Sequence, residues 1–302
     1  MAISRAQLVK ELEPGLNALF GLEYKRYDSE HEEIYTKESS DRAFEEEVML
    51  SGFANAQTKP EGQGVSFDEA QETFTARYTH ETVALAFAIT EEAMEDNLYD
   101  RISSRYTKAL ARSMANAKQV KAASPLNNGL PSGTFNTGDG TTLISASHPT
   151  IAGTFSNTLA TAADLNETSL EQAMIDIAAF TDERGLKIAA KGMKMIIPSA
   201  LQFTADRLMK SPGRVGTADN DINALKNMGM IPQGYRVNHY LTDTDAFYII
   251  TDVPNGMKYF DRAPLKTAME GDFDTGNVRY KARERYSFGC SDPRGIYASP
   301  GA

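Results

Sequence analysis

The sequence predicts an α+β protein, and three observations carry this prediction. Residues 90–123 contain no glycine or proline and place an apolar or aromatic side chain at every fourth position from Met94 to Met114, as one face of a helix does. Residues 45–89 alternate apolar and polar side chains with a period of two, as strands do. Several further strand patterns follow residue 235. A ribbon, a long helix and a set of closing strands are therefore the predicted framework.

The composition is that of an ordinary globular protein. The chain has 302 residues, of which 41% are hydrophobic and 24% charged, so it can bury a substantial core. Its net charge of -10 argues against a general nucleic-acid binder, because neutralising phosphates requires clustered Lys and Arg. The single cysteine, Cys290, cannot form an internal disulfide. No apolar run approaches the roughly 20 residues of a membrane span. We expect a soluble protein made in the cytoplasm.

Residues 1–44 are predicted to form an N-terminal arm. A short amphipathic segment at 6–12 is expected to end at Pro14 and Gly15, because both residues interrupt helices. The polar stretch that follows has no core of its own. It is either an arm that lies on another surface or a first helix packed against its own domain, and the sequence leaves both alternatives open.

Residues 45–89 are predicted to form an extended two-stranded loop. One strand is expected at 48–53 and the returning strands between residues 74 and 89, while the Pro- and Gly-containing stretch between them forms a polar tip with Lys59 and Glu61. A two-stranded ribbon alone is only marginally stable in water. It should therefore rest on something else, such as another subunit.

The long helix is expected to begin at Thr90, which can cap its first turn, and to end at Ser124 and Pro125. It would be roughly 50 Å long at 1.5 Å per residue, and we interpret it as a strut. A second helix is predicted from Thr168, with Glu171 completing a capping box, to Gly185. Its apolar stripe should pack beside the long helix.

The segment between these helices, residues 124–165, is rich in Ser, Thr, Gly, Asn and Pro, and loops of this length are usually functional or disordered. Its TGDGTT run at 137–142 lacks the Gly-Lys-Ser/Thr of a phosphate-binding loop, so we predict a surface turn. A buried strand at 193–198, a helix begun by Pro198 and a short helix at 220–228 follow. Further strands are expected at 235–241, 246–253, 256–262, 265–270, 277–290 and 296–299.

One of these strands carries a row of basic side chains. Arg279, Lys281, Arg283 and Arg285 occupy alternate positions, so they project from one face of the strand. This basic row could contact an acidic face of another subunit, contact DNA, or remain a solvated surface. Together with Lys59 and Glu61, the four residues are candidates for contacts between subunits.

No catalytic, cofactor-binding or metal-binding motif is found in the sequence. Walker A, G-x-G-x-x-G, G-x-S-x-G and H-E-x-x-H are absent, and the four histidines are scattered, which indicates structural roles. Asp219, Asp221 and Asn223 begin like a calcium loop, but Ala224 and Met230 replace the glycine and glutamate that such a loop needs. We expect no cofactor, no metal site and no enzymatic activity.

The order of four segments resembles one family. They are the strand leading into the long helix at 87–114, TLISASHPT at 142–150, MKMIIPSALQFTADRLMKS at 193–211 and VRYKARERYSFGCSDPRGIYAS at 278–299. In this order they resemble the major capsid proteins of tailed double-stranded DNA bacteriophages, which have the Hong Kong 97-type fold. The segment at 142–150 is similar to one in Mu-like head subunits.

The resemblance implies a domain organisation and a function. It assigns residues 1–44 to an N-terminal arm, 45–89 to an extended loop, 90–196 with 270–302 to a peripheral domain that includes the spine helix, and 197–269 to an axial domain. It further implies self-assembly as pentamers and hexamers into an icosahedral head around packaged double-stranded DNA, without sequence-specific binding. Assembly in the host cytoplasm and a final place in the virion are expected.

The resemblance also implies partners and leaves alternatives. A portal, a separate scaffolding protein and optionally a decoration protein are expected, and no membrane is involved. Some relatives cross-link through a lysine of the extended loop; Lys59 lies at the tip, but no matching Asn and Glu can be identified, so no cross-link is expected. An encapsulin-like compartment, a tail or baseplate component, and an enzyme with a site in the 124–165 loop are the open alternatives.

Overall fold

The computed structural model describes residues 5–90, 92, 99–213, 221–272 and 276–302, with side chains from residue 14 in the first helix and from residue 104 in the long helix. The helices are α1 (Arg5–Lys25), α2 (Tyr99–Asn127), α3 (Glu167–Ala178), α4 (Gln202–Lys210) and α5 (Ala224–Met228). The strands are β1 (Thr36–Ser39), β2 (Phe44–Leu50), β3 (Glu72–Thr79), β4 (Glu81–Ile89), β5 (His148–Thr150), β6 (Gly153–Phe155), β7 (Gly192–Ile197), β8 (Tyr235–Val237), β9 (Phe247–Thr251), β10 (Met257–Gly271), β11 (Val278–Cys290) and β12 (Ile296–Ser299). Short 3-10 helices lie at Glu30–Glu33, Ser199–Leu201 and Pro293–Gly295.

Two four-stranded sheets form the body of the protein, with strand orders β1-β10-β11-β4 and β12-β9-β7-β8. Among the described residues, β2 pairs only with β3 to form a separate ribbon, and β5 and β6 form a small hairpin. α1 and α2 cover one face of the first sheet, whereas α3 and α4 pack on the second sheet. This arrangement confirms the predicted α+β class.

The long helix α2 takes part in two hydrophobic cores, which agrees with its interpretation as a strut. In its middle, Leu110 and Met114 pack with Phe20 of α1 and Tyr280 of β11. In its last turn, the fully buried Leu126 packs between the two sheets. Burial of side chains at both places fixes the helix relative to both sheets.

The end of α2 differs from the prediction. The helix continues through Ser124 and Pro125 to Asn127. Pro125 has no N–H, so the last turn lacks one hydrogen bond within the helix. Burial of Leu126 and two tertiary hydrogen bonds offset this cost: Tyr35 donates to the carbonyl of Ala122 at 2.6 Å, and Tyr248 donates to the carbonyl of Leu126 at 3.1 Å. The predicted start at Thr90 stays a prediction, because residues 91 and 93–98, which follow it, lie outside the described residues.

The buried face of α2 also differs from the predicted stripe. Tyr106 belongs to the row of every-fourth residues, yet it is 52% exposed. Along an α-helix, each residue four positions further on is rotated by about 40° around the helix axis. A row of every-fourth residues therefore moves off the buried face, which follows the 3.6-residue repeat. Thr107, Ala111 and Ala122 are buried instead.

α1 continues through Pro14 and Gly15, where the sequence predicted its end. Side chains beyond these residues explain the difference: Leu16 and Phe20 are buried against α2 and the first sheet. Tertiary packing of an apolar face commonly outweighs the poor helix propensity of single residues. Of the two alternatives left open for the N-terminal segment, its described part therefore follows the second: it packs against its own chain.

β4 does not belong to the ribbon, contrary to the prediction that the extended loop reaches Ile89. It pairs with β11 from Glu81 to Ile89. Val83 and Phe87 face α2 and Tyr280, and this burial selects β11 as the partner strand. A period of two identifies a strand but does not identify its neighbour.

α3 is capped by Asn166 and Ser169, which exchange side-chain hydrogen bonds with each other's backbone, and it ends at Ala178. The predicted capping box at Thr168 and Glu171 and the end at Gly185 are therefore wrong. Its apolar stripe packs on the second sheet and α4 and not beside α2. Periodicity indicated which face is buried, but the partner depends on tertiary structure.

β10 is one strand where two were predicted. It contains Pro264, and register shifts on both sides of Ala263 accommodate the proline at an irregularity of the strand. Because β10 pairs with β11 up to Gly271, the predicted axial-domain limit at residue 269 cuts through one sheet. β12, from the predicted peripheral domain, likewise joins the second sheet. The remainder of the domain division stays a prediction.

Candidate functional site

The ribbon, defined as β2, β3 and the connecting residues 51–71, rests with one face on the body of its own chain. Ala76 and Tyr78 of β3 are buried. The ring of Tyr78 packs on Phe260 at 4.8 Å and on Gly289, where an added Cβ would lie only 2.6 Å from the ring. The support expected for a marginal ribbon is thus supplied in part by its own body.

A buried lysine ties the ribbon to the first sheet. Lys258 contacts Glu47 of β2 at 2.5 Å and Glu38 of β1 at 3.0 Å. Burial acts to lower the pKa of Lys258, but its hydrogen bonds to Glu47 and Glu38 raise the pKa above its ordinary value. The lysine therefore stays charged, and the root of the ribbon is held by ionic as well as apolar contacts.

The ribbon also exposes five apolar side chains, two on the outward face of β2 and three in the connecting residues. Val48 and Leu50 of β2 are 45% and 63% exposed, and the connecting residues Phe53, Val65 and Phe67 are 61%, 70% and 98% exposed. Single exposed apolar side chains are normal, but five on one element are typical of a surface that binds a partner. The predicted contact residues Lys59 and Glu61 are both exposed in the same connecting segment.

The basic row lies on the outer face of the first sheet, away from α1 and α2. Arg279, Lys281 and Arg283 are exposed and Arg285 is half-buried. In β10, Lys266 lies directly opposite Arg283 and Glu270 directly opposite Arg279, so this face carries five basic side chains and one acidic side chain. On the other side, β4 places the short, uncharged side chains of Thr82, Ala84, Ala86 and Ala88 beside the row. The row is therefore open to a partner.

The basic row has few acidic partners within the chain. Arg279 pairs with Asp272, whereas Lys281 and Arg283 form no ion pair with any residue that the structure describes. The buried Nε of Arg285 has no hydrogen-bond partner among the described residues. No contact within the described chain joins the basic row to Lys59 or Glu61, so the structure brings together four of the six predicted contact residues.

Sequence reasoning missed a buried charge cluster on the other face of β11. Glu284 is 2% exposed and accepts hydrogen bonds from Lys118 of α2 at 3.3 Å and from Tyr24 of α1 at 3.4 Å. Burial raises the pKa of Glu284, while Lys118 opposes this effect. The available signal was the alternation along β11: Glu284 lies two residues from both Ala282 and Tyr286, so its side chain points to the same covered face.

A second missed cluster joins the end of the chain to the turn after α3. Arg294 and Glu183, both 4% exposed, form an ion pair at 2.6 Å. Arg294 also donates to the carbonyl of Thr181 at 2.7 Å and to Asp292 at 3.3 Å. Burial raises the pKa of Asp292, and Arg294 opposes this effect. The cluster stabilises the Asp-Pro-Arg-Gly turn.

The histidines have structural surroundings. His31 packs between Tyr259 and Phe288, and burial together with the charge of Lys118 lowers its pKa to about 4. His80 bonds Ser40 and Ser287, each at 2.9 Å.

In the described part of the chain, no group of three or more His, Cys, Asp or Glu residues could hold a metal ion. None of the described helices combines the length and apolar character needed to cross a bilayer.

Comparison with known proteins identifies the family. A family model for phage capsid protein matches residues 72–299. The capsid of an empty GTA particle is 15% identical, covers 91% of both chains and has a TM-score of 0.54. The capsid of Myoviridae phage XM1 is 11% identical, covers 89% of both chains and has a TM-score of 0.52. The SrpI encapsulin from Synechococcus elongatus is 8% identical, covers 89% of this chain and 86% of that chain, and has a TM-score of 0.53.

The comparison with curated proteins gives no match. The solved structures share too little sequence to show more than the fold, but the family model spans most of the chain. It includes the ribbon's second strand, α2, the second sheet, the first sheet apart from β1, and the basic row. The chain belongs to the phage capsid protein family and is a major capsid protein with the Hong Kong 97-type fold.

Proposed function

We propose that this capsid protein assembles with copies of itself, as pentamers and hexamers, into an icosahedral head that encloses packaged double-stranded DNA. The observation that carries the proposal is the exposed apolar surface of the ribbon, which consists of the side chains of Val48, Leu50, Phe53, Val65 and Phe67. Such a face is costly in water and is stabilised when a neighbouring subunit covers it. Lys59 and Glu61, in the same segment, would lie at the edge of that contact.

The basic row is proposed as a second contact between subunits. The chain carries a net charge of -10, so a face with five basic side chains is complementary to much of the surface of another copy. An acidic surface on a neighbour would supply the partners that Lys281 and Arg283 lack in their own chain. Contact of this row with DNA is the alternative that an experiment must exclude.

Further components complete the proposal. Assembly in the host cytoplasm with a separate scaffolding protein and a portal, and optionally with a decoration protein, is expected from the family. We propose the same division into arm, extended loop, peripheral and axial domains with two changes: residues 81–89 and 257–269 are grouped with β11, with which they pair.

Shell formation by the purified chain tests the proposal. Leu50→Glu places a charge in the apolar face of the ribbon without touching the core, so we expect a folded subunit that no longer forms shells in electron microscopy. Ile175→Glu is the matched control, because Ile175 on α3 is 62% exposed, nearly the same as Leu50, but lies outside the ribbon. Normal shells from Leu50→Glu, or equal loss in both variants, would contradict the proposed role of the ribbon.

The contents of particles purified from their natural source distinguish a phage head from an encapsulin-like compartment. A phage head yields nuclease-protected double-stranded DNA, whereas a compartment of the same fold yields an enclosed protein. Protein cargo without DNA would overturn the proposed role in genome packaging while leaving the fold and the ribbon contact intact.

A further inference from the structure

The sequence contains two Asn-Gly pairs, at residues 128–129 and 255–256. In such a pair the backbone nitrogen of the glycine can attack the side-chain amide of the asparagine, because glycine has no side chain to hinder the approach and rotates freely. Both asparagines are exposed, so access to solvent does not distinguish them. Any difference in reactivity must come from how each pair is held.

The pair at 255–256 lies in the turn between β9 and β10. Pro254 and Asn255 are the central residues of this turn, and Asn255 has a φ of 60°. A proline followed by an asparagine at positive φ is the pattern of a type II turn. Neither the side-chain amide of Asn255 nor the backbone N–H of Gly256 forms a hydrogen bond with any residue that the structure describes. Both reacting groups of this pair are therefore free.

The pair at 128–129 is held by hydrogen bonds on both reacting groups. Asn128 Nδ2 donates to the carbonyl of Ser124 at 3.1 Å and to the hydroxyl of Ser124 at 3.0 Å. The backbone N–H of Gly129 donates to the carbonyl of Leu126 at 3.3 Å, and Gly129 is buried. These bonds must break before the glycine nitrogen can reach the amide, so this pair is protected.

Packing requires the glycine of the reactive pair. An added Cβ on Gly256 would lie only 2.8 Å from the Cα of Gly295, in the Asp-Pro-Arg-Gly turn. The carbonyl of Asn255 accepts a hydrogen bond from the amide of Asp292 at 2.8 Å, and the carbonyl of Gly256 accepts from the amide of Ser291 at 3.1 Å. The backbone of the reactive pair thus supports the Asp-Pro-Arg-Gly turn, and any larger residue at position 256 would separate the two turns.

We propose that Asn255 is a site of spontaneous deamidation in the folded protein. Hydroxide removes the proton of the Gly256 nitrogen, this nitrogen bonds to Cγ of Asn255, and Nδ2 leaves as ammonia after taking a proton from water. A water molecule then opens the succinimide at either of its two carbonyl groups. The product is an aspartate or an isoaspartate at position 255, and the net reaction consumes water and releases ammonia.

The modification changes the surroundings of the ribbon. Asn255 lines a groove together with Glu47 and Leu50 of β2 and with Asp292, so the new carboxylate adds a negative charge beside the root of the ribbon. In an isoaspartate the main chain runs through Cβ and Cγ, so the carbonyl that accepts from the amide of Asp292 leaves the main chain. The support of the Asp-Pro-Arg-Gly turn is then weakened. This chemistry belongs to the single subunit and does not depend on the proposed assembly.

Incubation of the purified full chain at mildly alkaline pH, followed by peptide mapping with mass spectrometry, tests the proposal. In the folded chain we expect deamidation at Asn255 to be at least about tenfold faster than at Asn128, because hydrogen bonds must break at Asn128 and not at Asn255. In urea, where neither pair is held, the two rates should become similar. Equal rates in the folded chain, faster reaction at Asn128, or no reaction at Asn255 would overturn the proposal.

Variants assign the change in charge to this position. Asn255→Gly suits the positive φ and removes the amide, so the variant should no longer acquire a negative charge with time in ion-exchange chromatography. Asn128→Gly is the matched control and should acquire the charge at the rate of the unaltered chain. If Asn255→Gly acquires it equally fast, the proposal is wrong. Should either variant fail to fold, the two rates in the unaltered chain still decide.

Discussion

At the scale of single residues, the protein uses buried charges to hold surface elements in place. Lys258, Glu284 and Arg294 each join segments that are distant in the chain, and each has an ionic partner. Removing one partner of such a pair is costly, because the other charge remains buried. Individual residues of this kind are therefore expected to affect the positions of elements as well as stability.

Asp139 provides a prediction with a defined pH dependence. Burial acts to raise the pKa of Asp139, but hydrogen bonds from His148, Thr137 and the Thr141 amide lower it to about 2. Since the pKa is lower in the folded state than in the unfolded chain, the stabilisation is complete above about pH 4 and is lost as the pH falls towards 2. Acid unfolding of the turn at residues 137–148 should begin in that interval.

We predict that Asp139→Asn lowers the free energy of unfolding near neutral pH by about 2 kcal/mol, the usual value of a charged hydrogen bond. The variant should also lose less stability than the unaltered chain between about pH 4 and about pH 2. Urea unfolding at several pH values measures both effects. Asp41→Asn is the control, because Asp41 is exposed. Equal stability of Asp139→Asn and the unaltered chain would contradict the hydrogen-bond network.

At the scale of elements, α2 owes its stability to packing along one face. The tertiary contacts of Leu110 with Phe20 and Tyr280 lie on that face, while Val120, ten residues further along the same helix, is 50% exposed. The helix should therefore tolerate a charge at the exposed position 120 and not at the buried position 110.

Leu110→Asp is predicted to unfold the subunit and abolish shells, since it buries a charge without a partner at a cost of several kcal/mol. Val120→Asp introduces the same side chain on the exposed face, and the subunit should keep its helical circular dichroism and its melting temperature to within a few degrees. Native melting of Leu110→Asp would show that α2 is not held by this core.

The ribbon shows how one element serves two surfaces. Because side chains alternate along a strand, Tyr78 and Ala76 face the body while Val48 and Leu50 on the paired strand face outward. The inner contacts fix the root, and the outer side chains remain for a partner. A ribbon built in this way can fold with its own subunit before it binds a neighbour.

At the scale of the whole molecule, the distribution of charge matters more than its total. An acidic chain concentrates five basic side chains on one open face of the first sheet. Contacts between such a face and acidic copies are long-range and weaken with salt, because the Debye length is about 8 Å at physiological ionic strength. Assembly of the unaltered chain should therefore be weaker at high salt.

Lys281→Glu combined with Arg283→Glu is predicted to reduce shell formation, as followed by light scattering, and to reduce its dependence on salt. Lys187→Glu combined with Lys191→Glu is the matched control, since both lysines are exposed and the change in net charge is the same. Shells that form normally but retain less DNA would show that the basic row contacts DNA and would contradict the proposed contact between subunits.

The sequence by itself determined the α+β class, the long helix, the two-stranded ribbon and the common face of the basic row. Each of these follows from local periodicity, because side-chain direction repeats every 3.6 residues in a helix and every two in a strand. Tertiary structure decided the partners: α1 passes Pro14, β4 joins β11, α3 packs on the second sheet, and β10 runs through Pro264. It also created the pair of His148 and Asp139 and the cluster around Glu284, because burial by distant segments, and not local pattern, selects which polar groups must find partners.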